Sequence, residues 1–147
     1  MKATKLVTLR KSIFFTIATA IMILSISSCA TKAPFLTSPV VPAARGTVTI
    51  KNDKNKNFVI KIQISNLAEV ERLQPPKNAY VVWMDTEDNI TKNIGQIKSS
   101  TAVLSKKLTA SFGTVSSLRP TKIFITAEYD ASSQNPSSEV ILSTDNF

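Results

Sequence analysis

Gly46-Thr47-Val48-Thr49-Ile50-Lys51, the polar break Asn52-Asp53-Lys54-Asn55-Lys56-Asn57, and then Phe58-Val59-Ile60-Lys61-Ile62-Gln63-Ile64 together decide the fold. In the first run apolar and polar residues alternate. In the second, Phe58, Ile60, Ile62 and Ile64 share one face and Val59, Lys61 and Gln63 the other. Successive side chains of a strand point to opposite sides of its sheet, so a period of two marks a half-buried strand, and two such runs around a turn-forming stretch mark a β-hairpin. The register is well specified, because a slip of one residue would turn every isoleucine outward.

Downstream the same punctuation repeats. Ser65–Asn78 holds Leu67-Ala68-Glu69-Val70-Glu71-Arg72-Leu73, one helical turn or a loop, closed by Pro75-Pro76. Ala79–Thr86 predicts a third strand carrying Trp83, and Glu87-Asp88-Asn89 turns the chain. Ile90–Lys98 predicts a weaker fourth strand interrupted by Gly95; Lys107–Gly113 a fifth; a sixth starts at Arg119-Pro120; and Glu139–Ser143 is the last, after a turn over Asp130–Ser137. About seven short strands, frequent turns and no long amphipathic helix predict an all-β domain over residues 46–147, a small antiparallel β-sandwich of immunoglobulin-like kind. It has no disulfide, since Cys29 is the single cysteine. Trp83, an aromatic in mid-strand, is the expected central packing residue.

Upstream the character changes. Thr31–Arg45 has Pro34, Pro39 and Pro42 among small residues and no period, which predicts a tether. In polyproline-like backbone, at about 3.1 Å per residue, it would hold the domain as far as about 45 Å from a surface. Phe35-Leu36 within it has two readings, contact with a membrane or docking on the domain. Before it, Lys2, Lys5, Arg10 and Lys11 precede an apolar run from Ile13 to Ile26, followed by Ser27-Ser28 and Cys29. Positive, apolar, then small is the order of a secretory signal peptide. The run of 14 residues falls short of the roughly 20 that a membrane-spanning helix needs. Ile26-Ser27-Ser28-Cys29 resembles the bacterial lipobox. The resemblance implies a signal peptide of residues 1–28, cleavage ahead of Cys29, and attachment of diacylglycerol and a further acyl chain (palmitate in kind) to that cysteine. More than one fatty chain is what stable anchoring requires. Ala30, where inner-membrane retention is commonly marked by Asp, favours the outer membrane over the inner one in a bacterial cell envelope.

Four of the 18 basic residues lie in the signal, so 14 basic residues stand against 10 acidic ones in the remaining 119. That mild excess, without an arginine cluster, does not call for nucleic acid. The chain has no histidine, which removes the commonest general base and transition-metal ligand; with no mature thiol to spare, zinc sites and Cys or Ser-His nucleophiles are excluded. The carboxylates of Asp85-Thr86-Glu87-Asp88-Asn89 read as a charged hairpin turn rather than a calcium loop, because the EF-hand pattern and its glycine are missing. Glu128 could join a second carboxylate for glycoside hydrolysis, which needs two acids at defined separation. Tyr80, three residues before Trp83, is the candidate ligand-binding aromatic, with a place in the core as the alternative. The terminal Phe147 is the kind of residue that ends outer-membrane barrels, but seven short strands with outward lysines argue against a lipid-facing barrel.

Leu73 and Pro75 ahead of Tyr80-Val81-Val82-Trp83-Met84, then Asn93-Ile94-Gly95, then Ile123-Phe124-Ile125-Thr126-Ala127-Glu128 and Pro136, are similar to the extracytoplasmic β-sandwich domain of the anti-sigma-K factor family, over roughly residues 46–144. The glycine pair that the family carries after the glutamate is Ser132-Ser133 here, and a lipoprotein cleaved at Cys29 has no cytoplasmic part with which to hold a sigma factor. The resemblance implies the fold and an envelope-stress setting. The expectation is therefore a lipid-anchored, non-enzymatic interaction module without a cofactor, held to the membrane and meeting an envelope protein. A small-ligand or glycan-binding lipoprotein stands second and a carboxylate-pair hydrolase third.

Overall fold

The computed structural model describes residues 30–97, 99–101 and 108–147, with the backbone alone at 99–101. The signal segment and the lipobox residues Ile26, Ser27, Ser28 and Cys29 lie outside the described residues. Nine strands and one 3₁₀ turn follow in order: β1 Thr31–Pro34, β2 Arg45–Asn52, β3 Phe58–Ser65, the turn Val70–Arg72, β4 Ala79–Thr86, β5 Thr91–Ile97, β6 Ser99–Thr101, β7 Leu108–Ser116, β8 Pro120–Glu128 and β9 Val140–Ser143. They form two antiparallel sheets, β1-β2-β3-β7-β6 and β5-β4-β8-β9. With β2 as strand A, this is the A-B-E-D and C′-C-F-G arrangement of immunoglobulin-like sandwiches, with β1 added at one edge. Among the described residues no helix is long and apolar enough to cross a membrane.

The alternation read in the hairpin is the alternation observed. Val48 pairs with Ile62 and Ile50 with Ile60, and all four are buried, while Thr47, Lys51, Lys61 and Gln63 are exposed. The facing sheet contributes Tyr80, Val82, Met84, Ile123, Ile125 and Ala127 to the same core. Burying an aliphatic side chain of this size stabilises by about 1.5–3 kcal/mol, so this inter-sheet layer is the main source of stability in a domain with no cross-link.

Two expectations need correction. Thr31–Arg45 is not a free tether. Thr31–Pro34 pairs with β2 from Thr31↔Ile50 to Pro34↔Thr47, an edge position where a proline costs the ladder little. The Phe35 amide then donates to the Gly46 carbonyl at 3.0 Å and the Leu36 amide to Ser143 at 2.8 Å, so the chain crosses from the edge of one sheet to the edge of the other. Phe35, Val41 and Ala44 are core residues; of the pair Phe35-Leu36, the phenylalanine docks on the domain and the leucine stays half exposed. Gly46 makes room for this crossing, since a Cβ there would sit 2.6 Å from the Gln63 carbonyl oxygen and 3.1 Å from the Phe35 ring.

Trp83 is buried, but it is not the centre of the inter-sheet core. It lies on the outer face of the second sheet with Ala79, Val81 and Phe124, in a separate small cluster. Trp83 stands directly opposite Phe124 in the β4–β8 register, and the two rings stack with centroids 6.3 Å apart. A loop from β8 to β9 closes this cluster with Ala131. Strand β4 is consequently buried on both faces, which is why Ala79–Met84 is an unbroken apolar run.

Candidate functional site

The sandwich has two ends. At one, Thr31 shares a depression of about 260 Å³ with Ile50, Asn52, Phe58, Arg119, Pro120 and Phe147. The 53–57 turn, the 87–89 turn and the chain terminus belong to this end, as the pairings Asn52↔Phe58 and Thr86↔Pro120 require. At the other lie the loops 66–78 and 129–139, where β3, β4, β8 and β9 meet. In immunoglobulin-like domains those are the B–C and F–G loops, the usual recognition loops of the variable kind.

Tyr80 belongs to the core. It is 1% exposed, its hydroxyl donates to the Ala68 carbonyl at 3.1 Å, and burial, with the Glu71 carboxylate adding to it, pushes its pKa up to about 12. It therefore offers no stacking surface to a ligand, which corrects its reading as a binding aromatic. The aromatic that does stand in solvent is Tyr129, 62% exposed at the end of β8. Lys77 from the facing loop places its Nζ 3.9 Å from the ring centroid, a cation–π contact. The Asn78 side-chain amide donates to the Tyr129 carbonyl at 2.9 Å and ties the two loops together.

The loop behind Tyr129 is shaped by its own short polar residues. Asp130 accepts from the Ser132 amide and hydroxyl, each at 2.8 Å, and the Ser132 amide first of all holds its carboxyl below the usual carboxylate range. Asn93 donates to the Ala131 and Ser133 carbonyls at 3.0 and 2.9 Å, while its oxygen accepts from the Gly95 amide. It thus fastens the loop over Trp83. Underneath, the Trp83 indole N–H donates to Thr126 Oγ1, Thr126 donates to Glu128 Oε1, and the Ser137 amide donates to the same oxygen. Glu128 is a buried structural acceptor here, its Oε1 taking both of these hydrogen bonds.

Two carboxylates of the 85–89 turn are used locally. Asp85 accepts from the Thr91 hydroxyl at 2.6 Å, and Glu87 pairs with Arg119 at 3.2 Å. Among the described residues no three His, Cys, Asp or Glu side chains come close enough together to hold a metal ion. Glu69, Glu71, Asn78, Gln96 and the edge of Tyr80 line a cleft of about 370 Å³ beside the 3₁₀ turn, with Glu69 engaged to Arg72 at 2.7 Å. Sequence reasoning missed Tyr129 and the loop that presents it. The signal was there: Tyr129 follows Glu128 at the end of β8 and opens the mostly polar run Asp130-Ala131-Ser132-Ser133-Gln134-Asn135, whereas Tyr80 sits inside an apolar run. In comparisons with known proteins, no family model, no curated protein and no solved structure matches the chain.

Proposed function

We propose that this protein is a lipid-anchored lipoprotein of a bacterial envelope, with the outer membrane favoured, and that its β-sandwich is a non-enzymatic module that binds an envelope protein partner. The observation that supports the anchor is where the fold starts: β1 begins at Thr31, two residues beyond Cys29, so cleavage ahead of Cys29 keeps every described residue in the mature chain. The residue types at 26–29 supply the chemistry, a nucleophilic thiol behind small residues that leave the backbone open to a protease. The loops 66–78 and 129–139 lie at the end away from Thr31, which leaves them clear of the anchor for contact with a partner. Labelled palmitate fed to the native host is expected in the wild-type protein and not in Cys29→Ser, which should accumulate at its precursor mass. Equal labelling of the two would end the lipobox assignment.

A glycan- or small-ligand-binding lipoprotein is the second reading, and the exposed Tyr129 ring beside Lys77 is what favours it. Pull-down of the lipidated protein from its own membranes separates the two. One envelope protein lost on Tyr129→Ala supports the interaction module; a polysaccharide lost on the same change supports the second reading.

A further inference from the structure

The outer face of the second sheet is covered by the loop 129–139, whereas on the outer face of the first sheet Lys32, Thr47, Lys51, Lys61, Gln63 and Val115 are exposed. On that face the β-register sets Lys32, Thr49, Lys61 and Gly113 in one row across β1, β2, β3 and β7, and Lys51, Val59 and Val115 in the next. Lys32 and Lys61 are two strands apart, about 10 Å by strand spacing, and Lys51 and Lys61 are diagonal neighbours. Between them Thr49, Lys51, Val59, Lys61 and Gln63 line a depression of about 190 Å³, with ammonium, hydroxyl and amide donors at its rim. Strands β1, β2, β3, β6 and β7 carry no carboxylate, although the chain has 10. The nearest one in sequence, Asp53, spends its oxygens on Asn55 and Asn57 in the turn. The two ion pairs among the described residues involve Arg72 and Arg119, so no described carboxylate pairs with Lys32, Lys51 or Lys61.

We propose that this face lies against the anionic headgroup layer of the membrane that holds Cys29, an inference that rests on the lipid-anchor reading. Lys32 is three residues from Cys29, at most about 11 Å along an extended chain, so the leash is too short to carry the domain away from the surface. Lysines at an anionic surface each contribute about five-fold to partitioning, and an acyl anchor with a basic patch is a stable pairing. The half of the face nearest the anchor is the half that holds Lys32, Lys51 and Lys61, and the exposed Val115 beside Val59 gives it an apolar corner. Phosphate oxygens accept from every donor around the depression.

The test uses the lipidated protein, purified in detergent and reconstituted into phosphatidylcholine vesicles or into phosphatidylethanolamine–phosphatidylglycerol vesicles, with lysine acetylation read by mass spectrometry. In the anionic vesicles Lys32, Lys51 and Lys61 should react at least about five-fold more slowly than in the neutral ones, and high salt should remove the difference. Lys92, on the second sheet, should react alike in both. In Lys51→Gln/Lys61→Gln, two exposed changes, Lys32 should lose its protection. Equal reactivity in both vesicles overturns the docking while leaving the anchor intact. Failure to float with phosphatidylcholine vesicles overturns the anchor, and the docking with it. Protection that appears only when heparin is added overturns it in favour of an anionic glycan.

Discussion

Between Trp83 and Glu128 a single hydroxyl, that of Thr126, accepts the indole N–H at 2.7 Å and donates to the carboxylate, all inside a buried cluster. Thr126→Val keeps the shape and removes both bonds. Leaving a buried donor without a partner costs about 1–3 kcal/mol, and Thr126→Ser should recover most of it. Urea unfolding should show a lower midpoint for the valine variant at unchanged slope. Tyr80 gives a pH dependence. Its folded pKa, about 12, lies above the ordinary tyrosine value of 10.0, so the unfolded chain loses the phenolic proton first. The stability due to this group is complete below the unfolded value and falls as pH rises from there through the folded one. Denaturant midpoints should therefore drop between those two values in the wild type, and Tyr80→Phe should flatten that slope. At this scale the sequence was informative about residue type and less so about direction. It marked Tyr80 and Trp83 as important aromatics, but which face of β4 each occupies depends on a loop from fifty residues away, and no local period reports that.

The hairpin of β2 and β3 was legible because half of it is exposed, so its isoleucines stand out against lysine and glutamine. Strand β4 was legible as a strand and misleading about its environment: its unbroken apolar run is the mark of burial on both faces. Strand β1 was hidden, since Thr31-Lys32-Ala33-Pro34 offers one inward alanine and a proline, and only pairing with β2 makes it a strand. Phe35 is what holds that edge down, and Phe35→Ala should cost about 3–5 kcal/mol. Proteolysis after Lys32 should become faster in that variant. Strand β5 depends on Gly95, where the register with β4 shifts and φ is +137°. A Cβ there would meet the Phe112 ring at 2.8 Å. Gly95→Ala should lose about 1–3 kcal/mol or more from strain alone, seen as an earlier thermal transition.

For the whole molecule, the sandwich followed from regularly spaced turns between short alternating runs, which constrain a chain without a long helix to two facing sheets. The covering loop was not legible, because Asp130–Ser137 reads as turn chemistry whether it projects into solvent or folds back over Trp83; the Asn93 amide decides, from another strand. In the lipid-anchor reading we propose, the start of β1 at Thr31 replaces a domain on a long leash with one held at the bilayer surface. The acid-free face of the first sheet then acquires a role in that reading through its place beside the anchor, and the loops with Tyr129 and Lys77 lie at the opposite end of the strands from Thr31. All of this turns on Cys29. The most direct measurement is the intact mass and amino-terminal peptide of the protein purified from the membranes of its native host. The account expects a chain beginning at Cys29 and heavier than residues 29–147 by a diacylglyceryl group and an acyl chain; a chain that retains Met1 and an unmodified Cys29 would contradict it.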